Sequence, residues 1–201
     1  MISIESVFSI SFSAIALALS AYTFWRTELH RGHLLLGRPQ QFYLGADGGG
    51  RGPPKVYLKA LIYSTSRNGH IVENLFVRVV KRDATQTFPI WVYETERMNR
   101  NGGLFVPREG IVASHHFILS DDAAPFAFDH GEIKLEIFGS IVGRQRPIRL
   151  HCASLEISEV EAENMKDGTG GLYFDWGPES GSYTKKQKGP NSKQPTTRAA
   201  E

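Results

Sequence analysis

Glu132-Ile133-Lys134-Leu135-Glu136-Ile137 alternates charged and apolar residues without a break. Successive side chains of a β-strand point to opposite faces. This period of two therefore sets Ile133, Leu135 and Ile137 against a core and leaves Glu132, Lys134 and Glu136 in water. The same alternation continues on both sides of the segment. Val56 to Tyr63 places Val56, Leu58, Ala60 and Ile62 on one face, and Ile71 to Val80 does so with Ile71, Leu75, Val77 and Val79. Ile111 to Leu119 aligns Ile111, Ala113, Phe117 and Leu119, which puts His115 on the apolar face as a core residue. Gln86 to Tyr93 groups Phe88, Ile90 and Val92, with Pro89 marking an edge strand or a bulge. Trp91 and Tyr93 fall on the opposite face, as a surface patch or as a support for other rings. Pro147 to Ile157 begins with Ile148, Leu150 and Cys152 inward and changes phase to Leu155 and Ile157, as a β-bulge does.

Turn signals separate these runs: Arg67-Asn68-Gly69, Arg82-Asp83-Ala84, Asn101-Gly102-Gly103, Asp121-Asp122 and Asp129-His130-Gly131. Short strands at this spacing predict a mainly β body, an antiparallel sandwich of immunoglobulin-like size, with a Greek-key barrel as the alternative. Leu34 to Leu36 and Gln41 to Leu44 add a further strand. Ser158 to Lys166 reads as one short C-terminal helix, with Ser158 and Glu161 forming a capping box. Tyr173, Phe174, Asp175 and Trp176 then form an aromatic cluster in a loop-like setting, rigid enough to anchor an interface or to fold back and cap the sandwich.

Ahead of this body, Ser6 to Trp25 carries no charge, a length of about twenty residues that suits a helix crossing hydrocarbon. Serines dilute the stretch, but a helix absorbs them by bonding their hydroxyls to its own backbone. Tyr22 and Trp25 stand where rings favour the headgroup region, and Arg26 and Arg31 follow. A cleaved signal peptide is the competing reading, disfavoured because no Lys or Arg precedes the span. The arginines after the span predict a single-pass protein of a bacterial inner (cytoplasmic) membrane, N-terminus out and C-terminal domain in the cytoplasm. Small residues four apart, Ala14 with Ala18 and Ala16 with Ser20, offer a face for homo-oligomer formation through the anchor.

The division expected is an anchor helix over residues 1–27, a membrane-proximal segment and Gly/Pro linker over 28–55, the sandwich over 56–184 and a disordered basic tail over 185–201. The chain has 201 residues and a net charge of only +2, so no strong field points to nucleic acid. A single cysteine, Cys152, excludes an intrachain disulfide and reads as a core residue. Neither Gly139-Ser140-Ile141-Val142-Gly143 nor Gly177-Pro178-Glu179-Ser180-Gly181 has nucleophile-elbow spacing, and the Gly48 to Gly52 run lacks the residues of a phosphate loop. His115 and His116 point to opposite faces of one strand and cannot share an ion.

Tyr63-Ser64-Thr65-Ser66, Gly102-Gly103-Leu104-Phe105-Val106 and Tyr173-Phe174-Asp175-Trp176-Gly177-Pro178 resemble an uncharacterised bacterial family of single-pass, membrane-anchored β-sandwich proteins. That resemblance implies no activity, ligand or catalytic residue. The function expected is a membrane-tethered, non-enzymatic sandwich that binds a protein partner at the inner membrane surface, without cofactor or metal. Tyr173, Phe174, Asp175, Trp176, Trp91 and Tyr93 are its interface candidates. Two alternatives stand beside it: an enzyme or receptor built from His116, His130, His151 and neighbouring carboxylates, and a homo-oligomeric envelope scaffold.

Overall fold

The computed structural model describes residues 4–25, 32–47, 52–82, 84–95, 98–100, 102–166 and 170–188. Thirteen strands and two helices lie among them, and every strand pairing is antiparallel. The larger sheet has the order β13 (Ser182–Lys188), β12 (Gly171–Gly177), β2 (Gln41–Ala46), β3 (Pro54–Ser64), β9 (Ile111–Ile118), β6 (Ile90–Glu94) and β7 (Met98–Arg100), with β1 (Leu34–Leu36) beside β3. The smaller has the order β11 (Ile148–Ile157), β10 (Gly131–Ile141), β4 (His70–Lys81) and β5 (Ala84–Phe88), with β8 (Leu104–Val106) beside β4.

The inner faces of the two sheets share one core, which makes the body sandwich-like. Val56, Leu58 and Ile62 of β3 meet Ile133, Leu135 and Ile137 of β10 and Leu75, Val77 and Val79 of β4 within it. The alternation read from β3 and β10 is the alternation observed, and in β4 it holds from Leu75 to Val79. Trp91, Phe42, Phe88, Phe117 and Phe174 are fully buried, and rings of this size dominate core energetics.

Three readings change. Gln86 to Tyr93 is two strands: Phe88 faces the core from the smaller sheet, and the chain crosses at Pro89 to the larger sheet, from which Trp91 and Tyr93 face the same core. Both rings are buried, so neither belongs to a surface patch. In β11 the bulge lies earlier than the apolar pattern places it. Ile137 pairs with His151 and Phe138 with Arg149, which leaves Leu150 as the extra residue. Cys152 is thereby turned to the outer face, opposite Glu136, and is exposed. In β4 a second bulge, opposite Ser140 and Ile141, turns Val72 inward and leaves Ile71 exposed.

The boundaries also move. Leu34 to Leu36 and Gln41 to Leu44, read as one further strand in the membrane-proximal segment, are two strands of the larger sheet, β1 and β2, and β13 carries strand structure to Lys188 in what reads as the tail. Helix α2 (Glu159–Lys166) has the capping box: Ser158 N–H donates to Glu161 Oε2 at 2.8 Å, and Glu161 N–H to Ser158 Oγ at 3.4 Å. Ser158→Ala should cost about 1 kcal/mol in urea unfolding, and an unchanged midpoint would mean that the cap contributes nothing.

Helix α1 (Ile4–Phe24) precedes the sheets. Ser13 Oγ donates to Ser9 O at 2.9 Å and Thr23 Oγ1 to Leu19 O at 2.8 Å, the back-bonding that lets hydroxyls sit in an apolar helix. Among the described residues, however, no helix is long and apolar enough to cross a membrane, so the structure does not support the expected transmembrane span.

Candidate functional site

The outer face of the larger sheet carries a row of rings that strand register alone assembles. Tyr173 pairs with Tyr43, Tyr43 with Tyr57, and Tyr57 with His116, so β12, β2, β3 and β9 each contribute one ring at the same level. Their neighbours along each strand, Leu172, Phe174, Phe42, Leu44, Val56, Leu58, His115 and Phe117, are buried in the core. The pleat therefore directs the four rings outward. With strands about 4.8 Å apart the row is about 15 Å long.

The rings touch in pairs. Tyr43 and Tyr173 have centroids 4.8 Å apart, and Tyr57 and His116 5.0 Å. Tyr43 lies over two glycines: a Cβ on Gly171 would collide with its ring, and one on Gly45 would come within 2.6 Å of its hydroxyl. Its hydroxyl donates to Ala46 O at 3.1 Å. Polar residues border the row. On one side Asp175, Gln41, Lys59, Ser114 and Glu94 follow in register, with Gln41 Nε2 donating to Asp175 Oδ1 at 2.7 Å. On the other, Lys55 Nζ meets Asp47 Oδ1 at 2.6 Å.

Burial raises the pKa of Tyr43 and Tyr173, Tyr43 also through Tyr173 and Asp47, and Tyr173 through Tyr57. Both therefore stay protonated phenols at neutral pH. Burial, then Lys55, lowers the pKa of His116 against the opposing pull of Glu94 and Asp47. Its Nε2 has no hydrogen-bond partner among the described residues. The face thus offers stacking area with neutral hydrogen-bonding groups, bordered by charges of both signs.

No family model matches this chain, and no curated protein or solved structure does.

The six expected interface residues separate. The segment around Tyr173 is strand β12 inside the sheet, not a loop, so its side chains alternate. Tyr173 and Asp175 face outward in the site, whereas Phe174 is core. Trp176 sits at the end of the strand under the Arg38 guanidinium, 4.0 Å from its ring centre, and edge-on to Tyr183 at 5.0 Å. Tyr183 in turn donates to Pro39 O at 2.9 Å and packs on Phe42. Trp91 and Tyr93 are core, as above.

Of the histidines, His116 is in the site, His151 lies on the smaller sheet under the influence of Arg38, and His130 pairs with Asp129 at 3.2 Å. Among the described residues no three His, Cys, Asp or Glu side chains come together as a metal site would require. Tyr22 on α1 and Trp25 just past its end are exposed, with ring centroids 6.4 Å apart, and Arg26 and Arg31 lie outside the described residues. Sequence reasoning missed Tyr43 and Tyr57. Their signal is aromatic side chains at the polar positions of otherwise alternating strands.

Proposed function

We propose that this chain is a membrane-tethered binding module whose outer tyrosine face docks a protein partner. The observation that carries the tether is α1. Phe8, Phe12, Ile15 and Leu19 fall on one helical face, Ile10, Leu17 and Phe24 on the opposite one, and all are exposed. Among the described residues, the helix gives none to the core. A helix that exposes apolar side chains on opposite faces is favoured where something apolar surrounds it, and a bilayer does so without a dedicated partner. The full Ile4–Phe24 helix, about 31 Å long, is needed for this reading. Arg26, Arg31 and Arg38 favour a cytoplasmic body. The full chain should float with liposomes and resist alkaline extraction, and a reporter fused after Glu201 should be active only if it works in the cytoplasm. Release by alkali would end the tether reading, and a signal from a reporter that works only outside would reverse the orientation.

The docking surface is favoured by composition. Tyrosines supply large, rigid contact area, and interfaces concentrate their energy in such rings within a polar rim. Here the rim is Lys59, Glu94, Asp175 and the Lys55–Asp47 pair. Tyr57→Ala with Tyr173→Ala should weaken a partner cross-linked in intact membranes by roughly 30-fold or more, taking about 2 kcal/mol as the cost of losing a hot spot. A partner that binds the double variant as well as wild type uses another face.

A further inference from the structure

The edge of the smaller sheet holds a cleft of about 290 Å³, lined by β4, β5, β10 and the segment 125–129. β5 is the edge strand there, and the segment 123–129 passes outside it. Phe126 and Phe128 pack against Phe88, with centroids at 5.4 and 6.0 Å, but do not close the gap. Its walls are mainly apolar, formed by Val79, Ile133, Phe126 and Phe128, with Thr85 and Gln86 of β5 as polar members. Val79 and Ile133 belong to the core, so the cleft opens onto the hydrocarbon interior of the sandwich. A space of this kind is poorly hydrated and gains when apolar atoms replace solvent. Its volume is near the lower end for small-ligand sites. With a methylene taken as about the size of a water, it has room for a chain of roughly eight to ten carbons.

One ion pair stands at the mouth. Lys81 Nζ donates to Asp129 Oδ2 at 2.9 Å, and the lysine is the deeper partner, 21% exposed against 47% for the aspartate. Asp129 has other partners, the His130 Nδ1 at 3.2 Å and the Lys166 ammonium at 3.7 Å, the latter shared with Glu163. It can therefore give up Lys81 without being left unpaired. A second carboxylate entering the cleft would take the Lys81 ammonium in its place.

We propose that this cleft binds a medium-chain fatty carboxylate, its chain against Val79, Ile133, Phe126 and Phe128 and its head on Lys81. The proposal does not depend on the tyrosine face or on the tether. The test uses the full chain in phosphatidylcholine vesicles, irradiated with a diazirine-bearing decanoic acid. Adducts should concentrate on peptides covering Val79–Phe88 and Pro125–Ile133. Unlabelled decanoate should compete at least 10-fold better than decyltrimethylammonium. Ala127→Trp and Ala84→Trp fill the cleft from exposed rim positions, and each should cut labelling at least 10-fold while the melting temperature holds. Lys81→Gln, which leaves the walls intact, should remove the preference for carboxylate over the cation. Labelling that is spread along α1 and untouched by both Trp variants would overturn the site, and equal competition by the cationic amphiphile would overturn its head group.

Discussion

On the tether proposed above, a chain carrying Ile15→Arg should leave the membrane, its partition falling by roughly 100-fold or more. Ile15 lies near the middle of α1 and is 59% exposed, so no protein contact shields it. At the centre of a spanning helix, isoleucine contributes about −0.5 kcal/mol and arginine costs about 3. The difference is thus some 3–4 kcal/mol, or two to three powers of ten. Ile15→Val should change little. A second readout separates this cause from a folding defect. Because α1 supplies no core residue, the melting temperature of the sandwich should be the same for wild type and Ile15→Arg. A variant that still fractionates with membranes after alkaline washing would show that α1 is not the anchor. One that falls off membranes with a lowered melting temperature would instead mean that α1 packs on the body.

The strand content was legible because period-two alternation reports burial directly. Val56, Leu58, Ala60 and Ile62 could face one way in any sheet that has a core. What the alternation does not encode is which sheet a strand joins. Trp91 and Phe88 have opposite parity along the chain, yet both are core residues, because the crossing at Pro89 moves the chain to the facing layer and inverts the meaning of inward. Cys152 failed for a related reason: one bulged residue reverses every side chain beyond it, and Leu150 is apolar enough to hide where that happens. The Tyr173 segment was misread because Asp175, Gly177 and Pro178 look like turn chemistry, whereas Leu172 and Phe174 already carried the strand period. The outward aromatic positions of the tyrosine row are legible in sequence, but their assembly into one row is not. Tyr43, Tyr57, His116 and Tyr173 lie in four segments, and only the pairing registers bring them level.

Acid should destabilise the sandwich through His115, by about 2 kcal/mol between pH 7 and pH 5. The ring is fully buried between Trp91 and Phe117, at centroid distances of 6.0 and 6.4 Å. Trp91 Nε1 donates to its Nδ1 at 3.2 Å, which assigns the neutral tautomer with the proton on Nε2. Protonating Nδ1 would set one donor against another and place a charge in the core. Burial, with a smaller contribution from His116, accordingly lowers the pKa from 6.5 to about 4. The sign follows from linkage. Between pH 6.5 and 4 the unfolded chain binds a proton that the folded chain refuses, so the stability present above pH 6.5 is lost as pH falls toward 4. The full loss is about 3 kcal/mol. At about 2–4 °C of melting temperature per kcal/mol for a chain of this size, the step to pH 5 is worth several degrees. Burial lowers His116 and His151 as well, and both add to the loss in the same direction. His115→Gln keeps an acceptor for Trp91 but does not titrate, so most of the slope between pH 7 and 5 should vanish in that variant. Carboxylates change little in this window, which leaves the comparison to the histidines. An undiminished slope in His115→Gln would mean that the core histidine is not what senses the acid.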